Sequence, residues 1–178
     1  MIPRRALLAS PFLAAAQAQA QPGPTKFQLA CMTLPYAAFP LERALSGIKA
    51  SGYDFVAWGS THTGSTGTKT PVLSVDAPPS DAAKLAARCR AMGLEPVMMF
   101  STVNVESPTA VDAHLRRIDQ AAAAKIPFLL TFGKTTRGEY GTFVENLKRM
   151  APHAGKAGVL LVIKQHGGVQ RWLTVVIN

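Results

Sequence analysis

The sequence alternates, five times over, between a short apolar run and a segment whose apolar residues recur at helical spacing. The runs are "FQLACMTLPY" (27–36), "YDFVAWGS" (53–60), "LEPVMMFS" (94–101), "IPFLLTFG" (126–133) and "VLLVIKQH" (159–166). A strand with one wet face alternates apolar and polar residues. A continuously apolar run predicts a strand covered on both faces, as in a parallel sheet. Between the runs stand four predicted helices: 40–52, 80–93, 107–125 and 139–158. Leu41, Ala44, Leu45 and Ile48 share one face of the first, Val111, Leu115 and Ile118 one face of the third, and Phe143, Leu147 and Met150 one face of the fourth. Ser80 and Ser107 are the expected N-caps, Pro108 the expected first-turn residue, and Gly52 and Gly93 the expected stops. Pro96 confines its strand to starting there. The Gly/Ser/Thr-rich stretch after the second run reads as a loop.

Strand starts at 27, 53, 94, 126 and 159 give spacings of 26 to 41 residues, which suit βα units. The fold class is therefore α/β, a parallel βα repeat. Two architectures fit: a doubly wound open sheet, or part of a (β/α)8 TIM barrel with about five of its eight units. A whole barrel needs about 250 residues, and this chain has 178.

Both architectures bind ligands beyond the carboxyl ends of the strands. Polar residues gather there. The second strand ends at Trp58, with Ser60 and His62 close behind. The third leads to Asn104 and Glu106, the fourth to Lys134, and the fifth ends in Lys164, Gln165 and His166. His62 reads either as a solvated loop histidine or as a substrate contact. Lys134 reads as a surface lysine or a contact, and Glu106 as a charge favouring the helix that follows or a contact. Lys164 and His166 stand two apart in a strand and so share a face. A lysine closing a buried run is costly unless it has a task, so this pair is the candidate catalytic pair. Trp58, His62, Glu106, Lys134 and Gln165 are candidate substrate contacts. "FGKTT" (132–136) resembles the end of a phosphate-binding P-loop, but Phe128 stands where the motif requires its first glycine.

The first twenty residues have arginines at 4 and 5, an apolar stretch from Ala6 to Ala16 and an Ala-Gln-Ala ending, the pattern of a signal peptide. The apolar stretch is shorter than the roughly 20 residues a membrane-spanning helix takes. Export to a periplasm-like compartment is the expectation, with residues 21–178 forming one domain. Removing two of the 19 basic residues leaves 17 against 10 acidic ones, a net charge of +7. The basic residues are scattered and lack interleaved aromatics, which argues against a nucleic-acid groove. Cys31 and Cys89 are expected to be separate free thiols, and no Cys/His spacing suggests zinc.

The order of elements, with "FPLERALSGIKASGYDFVAW", "AAKLAARCRAMGLEPVMMF" and "YGTFVENLKRMAPHAGKAGVLLVIKQH", resembles the sugar phosphate isomerase/epimerase family of xylose isomerase-like TIM barrels. The resemblance covers about residues 27 to 168. It implies aldose–ketose isomerisation or epimerisation next to a carbonyl, on a small carbohydrate. It also implies a divalent metal held by acidic and histidine side chains. This chain departs from that pattern: Lys164-Gln165-His166 stands where many members have Glu-Asn-His. An ammonium cannot ligate a metal ion and repels it. A non-catalytic carbohydrate-binding barrel is therefore an alternative, and a metal-dependent endonuclease for abasic DNA a more distant one. After Gly168 the expected next unit does not follow, so the chain is expected to be truncated after the fifth strand, with residues 169–178 an atypical tail. Open sheet edges predict that the chain alone is either insoluble or oligomeric.

Overall fold

The computed structural model describes residues 27–134 and 139–164. The signal-peptide expectation, Gln165, His166 and the tail lie outside the described residues. Among the described residues, seven strands and four α-helices follow one another. They are β1 (Ala30–Met32), α1 (Leu41–Ala50), β2 (Phe55–Trp58), β3 (Thr61–Thr63), β4 (Lys69–Pro71), α2 (Pro79–Ala91), β5 (Glu95–Phe100), α3 (Ala110–Ala123), β6 (Phe128–Thr131), α4 (Tyr140–Ala157) and β7 (Leu160–Ile163).

The main sheet has the order β1-β2-β5-β6-β7, every pair parallel. That order decides between the two architectures left open by the sequence. A doubly wound sheet reverses its strand order at a switch point; here the order follows the chain without reversal. Right-handed crossovers in a sheet that never reverses put every helix on the same face. Accordingly α3 packs between α2 and α4. The sheet is the wall of a partial (β/α)8 barrel, an α/β fold.

The main core lies between sheet and helices. Leu45, Val56, Trp58, Cys89, Met99, Ile118, Leu129, Phe143, Met150 and Leu161 form one buried cluster there. The expected stripe Phe143, Leu147 and Met150 is fully buried, as are Ala44, Leu45 and Ile48. The stripe on α3 differs. Its buried face is Ala110, His114, Arg117, Ile118 and Ala121, while Val111 and Leu115 are only half-buried. Polar side chains occupy that face because they bond a loop and a strand end, as described below.

Helix boundaries shift where serine caps were expected. Helix α2 starts one residue before Ser80, with Pro78 at the cap and Pro79 in the first turn, and no side chain caps it. Proline's fixed φ serves the first turn without a serine. Ser107 accepts the Thr109 N–H in a turn ahead of α3, so Pro108 precedes the helix. Gly52 and Gly93 have positive φ where the helices were expected to stop. The expected first strand is shortened to β1, and Leu34–Tyr36 becomes a 3-10 turn. The Gly/Ser/Thr-rich stretch contains the antiparallel hairpin β3–β4. Pro96 is the second residue of β5, at a register shift that leaves Val97 unpaired against β2. Cys31 and Cys89 are both free thiols. No helix among the described residues is long and apolar enough to cross a membrane.

Candidate functional site at the carboxyl rim

Strand parity builds the rim. Beyond Pro96, which is itself buried at the register shift, the buried residues of β5, β6 and β7 are Val97 and Met99, Leu129 and Thr131, and Leu161. These face the helices. The alternate residues are half-buried and face the other way: Met98, Phe128 and Leu160 in one row, Phe100, Leu130 and Val162 in the next. This second face is the concave face of the wall. The ladder continues one residue past β7, where the Lys164 N–H donates to Thr131 O at 2.8 Å. Alternation then puts Phe132 and Lys164 side by side on the concave face. Phe132 stacks on Phe100, with ring centroids 5.5 Å apart and planes at 19°. The mouth thus combines two stacked aromatic rings with an exposed lysine. Sequence reasoning singled out Lys164 but missed Phe100 and Phe132; shared parity across the expected register was the available signal.

The structure brings two of the expected contacts together. The Lys134 N–H donates to Glu106 Oε2 at 2.9 Å, and Lys134 Nζ pairs with Glu139 at 3.0 Å. Glu106 is 6% exposed, and its Oε1 has no hydrogen-bond partner among the described residues. Glu106 therefore works at a loop 28 residues away, rather than serving α3, whose first turn holds Asp112 instead. Lys134 is likewise more than a solvated lysine. A buried carboxylate with a bare oxygen is unfavourable unless something donates to it.

His62 lies in β3, 3% exposed, and not in a solvated loop. Its Nδ1–H donates to Phe39 O at 2.8 Å, because a carbonyl can only accept. In the neutral ring Nε2 is then the acceptor, and it is buried without a partner among the described residues. Thr63 anchors the same segment, its N–H donating to Ala37 O at 2.8 Å. Trp58 stands apart from the concave face. In register with Met99 and 1% exposed, it packs among the helices' side chains. Burial pushes the pKa of the neighbouring Cys89 thiol up, and the Trp58 indole N–H opposes that rise in part.

Behind the rim, His114 bridges α3 to the end of β6. Its Nδ1–H donates to Ala110 O and its Nε2 accepts from the Thr131 hydroxyl, both at 2.7 Å. The ring is neutral in this arrangement. Burial lowers its pKa, Arg117 adds to the lowering, and the Ala110 carbonyl opposes it. The unfolded chain takes up this proton near pH 6.5. Stability from His114 is thus fully present above that pH and is lost as pH falls toward the lower folded pKa, at up to about 1.4 kcal/mol per unit. Urea unfolding between pH 8 and pH 5 should show this loss, and His114→Gln, which keeps an acceptor for Thr131, should flatten it. An unchanged slope in the variant would assign the loss to another group.

Among the described residues, no three His, Cys, Asp or Glu side chains come together in a way that could hold a metal ion. Lys164, in the position where the resemblance expects a carboxylate ligand, offers no lone pair while charged. The described donor set does not fit a resident divalent metal.

No protein-family model matches the sequence, and no curated protein matches it. Solved structures do match the fold. A sugar phosphate isomerase/epimerase from Parabacteroides distasonis superposes with a TM-score of 0.55 at 12% identity, covering 88% of this chain and 62% of that one. Mannonate dehydratase from Streptococcus suis gives 0.59 at 14% identity, covering 86% and 57%. A fusion of a xylose isomerase-like TIM barrel with 4-hydroxyphenylpyruvate dioxygenase gives 0.55 at 18%, covering 78% and 22%. The chain spans under two thirds of the length of each of these proteins. It has the fold of the xylose isomerase-like TIM barrels.

Proposed function

We propose that this chain processes a small carbohydrate at the carboxyl rim, as an isomerase or epimerase acting on a carbon next to a carbonyl. The observation that carries the reading is Lys164, set at the mouth of the concave face beside the Phe100–Phe132 stack. An aromatic ring offers a flat apolar face to the C–H side of a sugar. The Lys164 ammonium would donate to the carbonyl oxygen and stabilise the charge that develops there as a proton leaves the neighbouring carbon. His166, two residues on, would accept that proton and return it to the adjacent carbon or to the opposite face. Glu106 Oε1 would accept from a sugar hydroxyl, and Lys134, His62 and Gln165 would complete the contacts.

The test is turnover over a panel of aldoses, ketoses and their phosphates. Lys164→Met should abolish conversion of every accepted sugar; unchanged conversion removes Lys164 from the chemistry. The lysine in a metal-type position favours a second reading, a carbohydrate-binding barrel without turnover. Saturable sugar binding with no conversion in the unmodified chain would select it. We also propose, on the first twenty residues, that the protein is exported.

A further inference from the structure

A cavity of about 80 Å³ opens at the carboxyl ends of β2 and β5, under the hairpin β3–β4. Its walls include Gly59, Ser60, Leu73, Phe100, Thr102 and Arg117. Arg117 reaches it from α3 and is 9% exposed. Three hydrogen bonds hold the guanidinium: Nη1 to Gln120 Oε1 at 2.9 Å, Nη2 to Leu73 O at 3.0 Å, and a long one from Nη1 to Ser74 O at 3.5 Å. A guanidinium has five N–H donors. The Nε–H and one N–H of Nη2 have no partner among the described residues. Neither has the charge. Asp76 is near enough to be felt but pairs with Arg116, and no carboxylate comes within ion-pair distance of Arg117 among the described residues.

Arg90 shows the contrast, with a two-pronged pair to Glu95 at 2.7 to 3.1 Å. A buried cation without an anion is costly, and burial correspondingly lowers Arg117's pKa. The carbonyls of the 73–77 loop and Gln120 offset only part of that cost, because they are dipoles. The unpaired charge and the open volume meet at Arg117, which lines the cavity.

We infer that the Arg117 cavity is a binding site for a small anionic group, a carboxylate or a phosphate, beside the rim. The fork of the guanidinium suits either. Phe100 belongs both to this cavity's wall and to the concave face, so an anion here would sit next to whatever occupies the mouth. The site does not depend on the isomerase reading, because binding is measured without turnover.

The test uses the full chain carrying Trp172→Phe, so that Trp58, which also lines the cavity, is its single fluorescent indole. Sodium acetate and inorganic phosphate are titrated separately at constant ionic strength with chloride as background. The expected result is a saturable change in Trp58 emission with at least one of them. Acetate alone assigns a carboxylate site and phosphate alone a phosphate site. Arg117→Gln should weaken that binding by at least about tenfold, the worth of a charged hydrogen bond. Since Arg117 also fastens the 73–77 loop, a second variant leaves it in place. Thr102→Leu adds bulk at an exposed position on the cavity wall and should reduce binding by a similar factor with the melting temperature unchanged. No saturable response to either anion, or a response that Thr102→Leu leaves unaltered, overturns the site and leaves Arg117 as a loop fastener.

Discussion

Gly59→Ala should destabilise the fold by about 2–3 kcal/mol, near the upper end of what an overpacked site costs. A Cβ on Gly59 would lie 2.7 Å from Leu34 N and 2.9 Å from both Leu34 Cα and Cβ. Those atoms belong to backbone and the root of a side chain, so none can swing away. Nor can either segment back off freely. The Gly59 N–H donates to Thr33 Oγ1 at 2.9 Å, and the Thr33 N–H donates to Ala57 O at 3.0 Å. Moving the Leu34 turn outward would break the stitch between the ends of β1 and β2. Gly47→Ala supplies the comparison. Gly47 is exposed inside α1, and a Cβ there meets nothing within 4 Å. Alanine should raise stability by about 1 kcal/mol, the helix-propensity difference. Denaturant midpoints of the two variants should therefore move in opposite directions. Equal shifts would mean that the Leu34 turn yields, and the rim would then be softer than its hydrogen bonds imply.

The same stitched rim shows what could and could not be read from the residues. Five apolar runs alternating with helical segments were enough for a parallel α/β sheet, because a strand without polar residues has to be covered on both sides. They could not choose between barrel and open sheet; only the pairing order β1-β2-β5-β6-β7 does that. Continuous apolarity also hides parity. Trp58 and Phe100 each end a run, yet one packs among the helices and the other faces the concave side. Their difference rests on register, including the shift that strands Val97, and no single-residue property records it. Nothing in the sequence marks Arg117 and Gln120 of α3 as buried. They are buried because the backbone carbonyls of the 73–77 loop need donors, and those carbonyls are invisible in the side-chain sequence. The hairpin β3–β4 escaped notice for a related reason. Three-residue strands of Thr, His, Lys and Pro carry no hydrophobic period to detect.

Glu106→Gln should separate function from stability. The glutamine carbonyl can still accept the Lys134 N–H, so the link between the ends of β5 and β6 survives. What changes is the other oxygen. Oε1 is buried without a partner among the described residues, and an unsatisfied buried polar atom costs about 1–3 kcal/mol, more when charged. Replacing that oxygen with a neutral amide removes a buried charge, so the melting temperature should hold or rise. Sugar recognition should move the other way. A hydroxyl donating to a carboxylate is worth about 1.5–3 kcal/mol, so losing this acceptor should raise KM or Kd for the sugar by roughly 10- to 150-fold. Opposite signs in one variant are what a binding carboxylate predicts, because such a group is held at the fold's expense until its ligand arrives. A structural carboxylate predicts the reverse: a lowered melting temperature with sugar affinity intact. Melting curves and sugar titrations on the same preparation distinguish the two.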